Sequence, residues 1–467
     1  MLKVAGNSWR TMFNQTERTI PGKAWRGATA ALAAAFCGLA ADPQPAPAAT
    51  PPSHPEVKPP SFKQSFAAWQ REFWTDAAAS GISQATLKAA FKGVEPDPRL
   101  PDLVRRRAPK KRPKGQAEFT RPPQAYVSEK TIARLAAEGR RLARTHAATL
   151  ARIERRFGVP SNVVLAIWGR ETAYGSYRVR HDAIRALATQ AYMGRRHGMF
   201  RAELLAALRM LQDGVIARDK FKASWAGAVG LTQFMPSEYG KLAVDLDGDG
   251  HKNIWDVPDA LASAANQLAK KGWVRGQTWG YEIETGGSEV KGGPEIEGGK
   301  VTCAEDGPLN RRALREWEAR GVRRVAGRRF SDAHRRQSVF LFSPGGGLGP
   351  QFLATENFLV FKRYNMSDLY ALFVGHLADR IAGGRKFVRG WGAIKQLPRR
   401  QIAAIQSILK KEAYPIGKID GRIGPMTRSQ IGQYQLRHEP AGGGPIDCWP
   451  TARLLAEMQE RQATASR

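Results

Sequence analysis

The stretch Pro160-Ser-Asn-Val-Val-Leu-Ala-Ile-Trp-Gly-Arg-Glu-Thr172 constrains the fold of this chain more than any other. Its apolar residues predict a helix, with Ser161 as N-cap after Pro160 and Gly175 as the stop. At helical spacing Val164, Ile167, Trp168 and Glu171 share one face. The face that must be buried therefore carries a carboxylate. Burial disfavours the charged form, which suits a side chain that keeps a proton until a leaving group needs it. Spacing alone also permits a Glu at a helix end, exposed or paired with Arg170 or Arg178.

Helical patterning surrounds this stretch. It starts at Phe62, with Phe66 to Trp74 and Gln84 to Phe91, continues as one long helix from about Ser128 to Phe157, and dominates through Lys271. It returns from Asn357 to Ile381. Only weak strand candidates appear, such as Gly280 to Glu284 and Gln337 to Phe342, so a mainly α fold is expected. The region 285–300 is Gly-rich and reads as a surface loop. After a basic connector, residues 399–460 form a small module: a helix at Ile402 to Leu409, a turn at Gly417 to Pro425, a helix from Met426 and a last one from Thr451 to Met458.

Lys and Arg outnumber Asp and Glu by 73 to 42, giving a net charge of +31 over 467 residues. Such a charge implies an anionic partner: nucleic acid, acidic lipid or an acidic wall polymer. No zinc-knuckle, helix-turn-helix or aromatic RNA-binding signature accompanies it, which argues against nucleic acid. The densest basic run, Arg105 to Lys114, reads as a solvated loop. Lys23 and Arg26 precede a short apolar run ending in small residues, so residues 1–41 read as a signal peptide and 42–61 as a Pro/Ala-rich linker. Phe36 before Cys37 argues against a lipid anchor there, because that position takes a small residue. No later stretch suits a membrane span, so an exported, periplasmic protein is expected. Cys303 and Cys448 could pair in an oxidising compartment or remain apart; the sequence gives no distance between them.

Three further segments can carry chemistry. Ser224-Trp-Ala-Gly-Ala-Val-Gly-Leu-Thr-Gln-Phe-Met-Pro236 holds Gly227 and Gly230, which would let the backbone approach a ligand, and Gln233, which offers donor and acceptor groups. Ser224 could hydrogen-bond Glu171 if the chain folds back. Asp245-Leu-Asp-Gly-Asp-Gly-His-Lys-Asn-Ile-Trp-Asp256 has the alternating acids and glycine of the first half of an EF-hand loop. The twelfth position is Asp256 rather than Glu, and Asp259 lies three residues on. Tyr364, Asn365 and Tyr370, in Arg363-Tyr-Asn-Met-Ser-Asp-Leu-Tyr370, can stack on and hydrogen-bond a sugar. Taken singly, the three segments equally suit helix packing, a polar turn and a cap with core aromatics.

Together these motifs, in order and with Gly272-Trp273 after the acidic loop, resemble the lytic murein transglycosylase B family from about Phe62 to Ala382. Asp97-Pro-Arg-Leu and Glu118 to Pro123 resemble its N-terminal segment, separated here by the basic run. The resemblance implies a lysozyme-like helical core with extra helical domains around a groove. It implies Glu171 as the single catalytic acid, Ser224 as the residue that orients it, and Gln233, Tyr364, Asn365 and Tyr370 as sugar-holding residues. Asp245, Asp247, Asp249 and Asp259 would ligate a structural calcium ion by their side chains and His251 by its carbonyl; no catalytic cofactor is implied. Residues 399–460 resemble a peptidoglycan-binding type 1 domain, through Ile405 to Leu409, Asp420-Gly421, Gly424-Pro-Met-Thr427 and Gln433-Tyr-Gln435. The implied layout is a catalytic region at 62–382, a linker at 383–398, the binding module and a tail at 461–467. The implied reaction is cleavage of the MurNAc–GlcNAc bond of peptidoglycan by a monomer, leaving 1,6-anhydromuramic acid ends. A muramidase-type hydrolase and a non-catalytic wall-binding protein are the alternatives.

Overall fold

The computed structural model describes residues 64–104, 121–285, 301–439 and 444–465. The expected signal peptide and Pro/Ala linker, the basic run 105–114 and nearly all of the Gly-rich stretch lie outside the described residues.

Ten helices lead the described part: α1 (Phe66–Ala79), α2 (Gln84–Phe91), the single turn α3 (Pro123–Tyr126), α4 (Glu129–Thr145), α5 (Ala147–Phe157), α6 (Ser161–Thr172), α7 (Ala183–Met193), α8 (His197–Gln212), α9 (Pro236–Leu242) and α10 (Val257–Lys270). Short polar side chains open several of them. Ser65 and Ser83 accept from amides three residues on, at 3.2 and 3.1 Å, and Asp182 does the same for Arg185. Each satisfies a donor that the helix leaves free. The helix expected from Ser128 to Phe157 is two, broken at His146 (φ −109°, ψ 25°), whose ring meets Trp168 edge-on at 6.2 Å.

Helix α6 is buried on every side from Val163 to Gly169 rather than along one face. Pro160, not Ser161, occupies its N-cap, and Ser161 bonds Glu154 instead. It packs in one core with α4, α5, α10, α12 (Glu356–Tyr364) and α13 (Asp368–Ile381). Truncating a fully buried residue such as Leu165 to Ala would cost about 2–5 kcal/mol. A second core joins α1 and α2 to α7 and α8.

The sequence reading underestimated the β content. Among the described residues, five strands form an antiparallel sheet in the order β4-β6-β7-β3-β5: β3 (Gly280–Thr285), β4 (Arg312–Ala313), β5 (Val322–Arg324), β6 (Ser338–Phe342) and β7 (Gln351–Ala354). Two of these, β3 and β6, match the weak candidates. The others are two to four residues long, too short for a period-2 pattern to register. Tyr281 pairs with Leu353 and Leu341 with Leu353, which centres the sheet on β7 and β3. A small helix, α11 (Leu314–Ala319), covers it with Trp317. The other two strands, β1 (His181–Asp182) before α7 and β2 (Lys222–Ala223) after α8, pair with each other.

The C-terminal helices α14 (Arg399–Lys411), α15 (Pro425–His438) and α16 (Ala452–Ala465) enclose their own core of Ile405, Leu409, Ile431, Leu454 and Met458. Buried Gln406 accepts from the amides of Asp420 and Gly421 at 3.0 and 2.8 Å, which fixes the Asp-Gly turn. Cys303 and Cys448 form a disulfide that joins this module to the turn after residue 302. Beside it the Arg428 guanidinium donates to buried Asp306 at 2.6 Å, and Ser429 donates to the carbonyl of Ala304 at 2.6 Å.

Candidate active site

Glu171 stands in the last turn of α6 and is half-buried. The helix stops at Thr172, earlier than the expected Gly175, because Ala173, Tyr174 and Gly175 all take left-handed backbone angles. Such angles disfavour side chains at the first two positions, so tertiary contacts must hold them. Tyr174 shows how. Its ring folds back over α6 and its hydroxyl donates to the carbonyl of Leu135 at 2.9 Å. The space it fills exists only because residues 139 and 169 are glycines: a Cβ there would lie 2.5 and 2.6 Å from Tyr174 atoms.

The partners of Glu171 come from the other end of the region. The Tyr370 hydroxyl, on the first turn of α13, donates to Glu171 Oε1 at 2.5 Å. Tyr370 is 2% exposed, and its ring stacks on that of Tyr364 with centroids 6.3 Å apart. Burial, reinforced by the nearby Glu171 carboxylate, pushes both phenols well above their ordinary range, so both remain donors. Tyr364 donates to the carbonyl of Thr232 at 2.6 Å, and Thr172, next to Glu171, donates to the carbonyl of Leu231 at 2.7 Å. The segment holding Gln233 is thereby tied to both helices that carry the acid and its phenol.

Arg170 does not pair with Glu171 in the sense of an ordinary surface ion pair. Its guanidinium lies over the rings of Tyr126, Tyr370 and Phe373, 5.1 to 5.6 Å from the centroids, and donates to the Tyr126 hydroxyl at 2.5 Å. Burial works against its charge, but Tyr126 and Glu171 more than offset that. A cation held on aromatic faces favours the carboxylate form of its neighbour. Sequence reasoning named Arg170 only as an ion-pair partner and did not name Tyr126, Thr172 or Thr232. Their roles arise from side chains meeting backbone carbonyls far along the chain, and no local pattern signals that.

The remaining expected residues are placed as follows. Ser224 Oγ accepts from the amides of Ala226 and Ala228 at 3.3 and 3.1 Å, closing the turn that precedes Gln233. Gln233 is half-buried with φ 57°, and its side chain donates to the carbonyl of Gly230 at 3.0 Å. The glycines near it serve packing rather than a ligand. A Cβ at Gly227 would lie 2.2 Å from Leu187, and one at Gly230 would lie 2.6 Å from the carbonyl of Ile254. Asn365 ends α12, and its side chain accepts from the amide of Ser367 at 3.2 Å.

In the acidic loop, carboxylate oxygens of Asp245, Asp247 and Asp259 lie within 4.8 Å of one another. Asp259 is fully buried and accepts from the amides of Leu246 and Asn253 at 2.7 and 2.8 Å, which clamps the two ends of the loop together. Amides of Gly248, then Gly250, hold the Asp245 carboxyl below its usual range. Asp249 does not join the trio and instead accepts from the His251 amide at 2.7 Å. Asp256, at the twelfth position, caps α10 instead. The loop also supports the acid's surroundings, since Leu231 donates to the carbonyl of Ile254 at 3.0 Å. Three converging carboxylates fit the all-oxygen donor set of a hard divalent cation.

The family model described as Transglycosylase SLT domain matches residues 65–379. The chain belongs to this SLT transglycosylase family. It is 37% identical to SltB3 from Pseudomonas aeruginosa, solved in complex with NAG-NAM-pentapeptide, over 85% of this chain and 100% of that one, with a TM-score of 0.74. The same protein solved with NAG-anhNAM-pentapeptide gives 36% and 0.73. It is 32% identical over 230 residues to the membrane-bound lytic murein transglycosylase B of Escherichia coli (strain K12), and spans 59% of that protein's length. The mainly helical fold and the lytic murein transglycosylase B resemblance both hold. Among the described residues no helix is long and apolar enough to cross a membrane.

Proposed function

We propose that this protein is a lytic transglycosylase of peptidoglycan in which Glu171 serves as both acid and base. The observation that carries this reading is the short hydrogen bond from buried Tyr370 to Glu171, on a corner where both phenols are held as permanent donors. The SltB3 complexes support the substrate class: their ligands are a NAG-NAM-pentapeptide and its anhydro counterpart.

In the reaction, Glu171 gives its proton to the oxygen linking N-acetylmuramic acid to N-acetylglucosamine, and the C1–O4 bond breaks. The substrate's N-acetyl group can stabilise the cationic C1. The Glu171 carboxylate, favoured at that moment by Tyr370 and Arg170, then takes the proton of the same sugar's 6-hydroxyl. O6 closes on C1, giving a 1,6-anhydro end without water. Most glycosidases need a second carboxylate, but an internal nucleophile brings its own effective concentration, so one suffices. Gln233, Asn365 and Tyr364 orient the sugars, and Ser224 shapes the turn that presents Gln233. Asp245, Asp247 and Asp259 would hold a calcium ion, which when bound would offset most of their mutual repulsion and fix the loop. The C-terminal module acts as a wall-binding domain, and the protein works outside the cytoplasm, where its substrate lies.

The test is mass spectrometry of soluble fragments released from sacculi by the purified protein. Anhydromuramic ends, one water lighter than hydrolysis products, are expected. Hydrated reducing ends would make it a muramidase, and binding without release would leave it a wall-binding protein.

A further inference from the structure

A cleft of about 320 Å³ opens along the seam between the C-terminal module and the corner joining α12 to α13. Glu171 does not line it. One wall is that corner, with Lys362, Met366 and Asp368; the facing wall is the module, with Lys418, Arg422 and Met426. The walls keep their spacing, because the Cys303–Cys448 disulfide and the buried Arg428–Asp306 pair fix the seam.

Its chemistry is that of a site for an anionic, partly apolar chain. Asp368 is already matched, 2.6 Å from Lys362 and 3.7 Å from Arg428. Asp420, the other acid of the lining, stands 4.0 Å from Arg422, which leaves Arg121 and Lys418 as its further cations. Met366 and Met426 are 83% and 47% exposed, an adaptable apolar surface open to water. The cleft also touches the acid's support. Ser367 lines it and accepts from the amide of Tyr370 at 3.2 Å, and the Tyr370 hydroxyl reaches Glu171.

We propose that this cleft is a second substrate subsite, taking the carboxylate-bearing end of a peptide carried by a glycan strand whose sugars lie at Glu171. The proposal rests on the peptidoglycan reading above. Such a subsite would favour strands that still bear peptides, and it would act through binding rather than chemistry.

The test compares the full-length protein with an Arg121→Glu/Lys418→Glu variant. Both side chains are exposed, so the fold should be unaffected. Substrates are peptide-bearing strands and strands stripped of peptide by an amidase. The double variant should show KM raised about five- to tenfold on peptide-bearing strands, with turnover of stripped strands within about twofold of wild type. Equal KM for both proteins on peptide-bearing strands would overturn the subsite. Calorimetry with soluble muramyl-pentapeptide forms a separate arm. Binding by wild type, weakened in the variant and when the peptide carboxylates are amidated, supports the cleft; no binding, or binding indifferent to both changes, rejects it. If wild type cleaves neither strand, the catalytic reading fails, and the calorimetric arm alone decides the cleft.

Discussion

The corner at Glu171 and the seam at Cys303–Cys448 both fix helix ends, by different means. At the corner, neutral groups dominate. Tyr370, Tyr364, Thr172 and Tyr174 each donate a hydroxyl, three of them to backbone carbonyls, and their rings are packed into a large apolar core. At the seam a disulfide and a buried ion pair stand beside a very small apolar cluster of Cys303, Ala304 and Cys448. The difference has a physical logic. A residue that must gain and lose a proton is best positioned by groups whose own charge does not change with it. Two bodies that share little apolar area need covalent and ionic ties, since burial alone offers too little.

The contrast can be broken from either side. The largest effect should come from Glu171→Gln, which keeps shape and hydrogen bonding but removes the proton. Release of anhydro fragments should fall by about 10²–10⁴-fold or more while the melting curve stays put; retained turnover would end the assignment. At the seam, Arg428→Ala leaves Asp306 buried without its cation. Burial already pushes that carboxyl up to about 6, despite Arg428. Denaturant titration should show a loss of about 3–5 kcal/mol; a change below about 1 kcal/mol would mean the pair behaves as a surface bridge.

Calcium comes next. At about a hundredfold over its Kd the ion should stabilise by about 2.7 kcal/mol. A chelator should lower Tm and calcium restore it, with the response lost in Asp247→Asn. Identical melting curves with and without the ion would remove calcium from the account.

His376 supplies a test by pH. It is 2% exposed and stacked on Phe387 at 3.8 Å. Burial lowers its pKa to about 4, against the pull of Glu129. The folded state therefore resists protonation. Stability is complete above about pH 6.5 and falls as pH drops towards 4, by on the order of 3 kcal/mol. His376→Gln should flatten that slope, and an unchanged slope would assign it to other groups. The smallest effect sharpens the corner itself. Tyr370→Phe should lower kcat about tenfold with KM nearly constant. A rise in KM alone would make Tyr370 a sugar contact rather than a support for Glu171.

Much of this molecule was legible in its sequence for a simple reason. Helical periodicity is local, and so are the acidic loop and the Asp-Gly and Gly-Pro turns of the C-terminal module. The run ending at Glu171 announced a buried helix, while the role expected of Glu171 came from the order of the motifs that follow it. Other features were not local. The sheet pairs strands as far apart as Gly280 and Ala354, and β4, β5 and β7 are each too short to show an alternation. Gly139 and Gly169 look like helix defects until Tyr174 fills the space above them. Tyr364 and Tyr370 read as a sugar platform, yet their hydroxyls are committed to Thr232 and Glu171, and Asp249 stands apart from the acids beside it. The sequence by itself determined a helical fold and the spacing of the acidic loop, because each is written within about one or two helical turns. Only the tertiary structure decided which phenol reaches Glu171, which aspartates converge and that Cys303 meets Cys448. Each of those depends on distances between segments that the chain brings together only on folding.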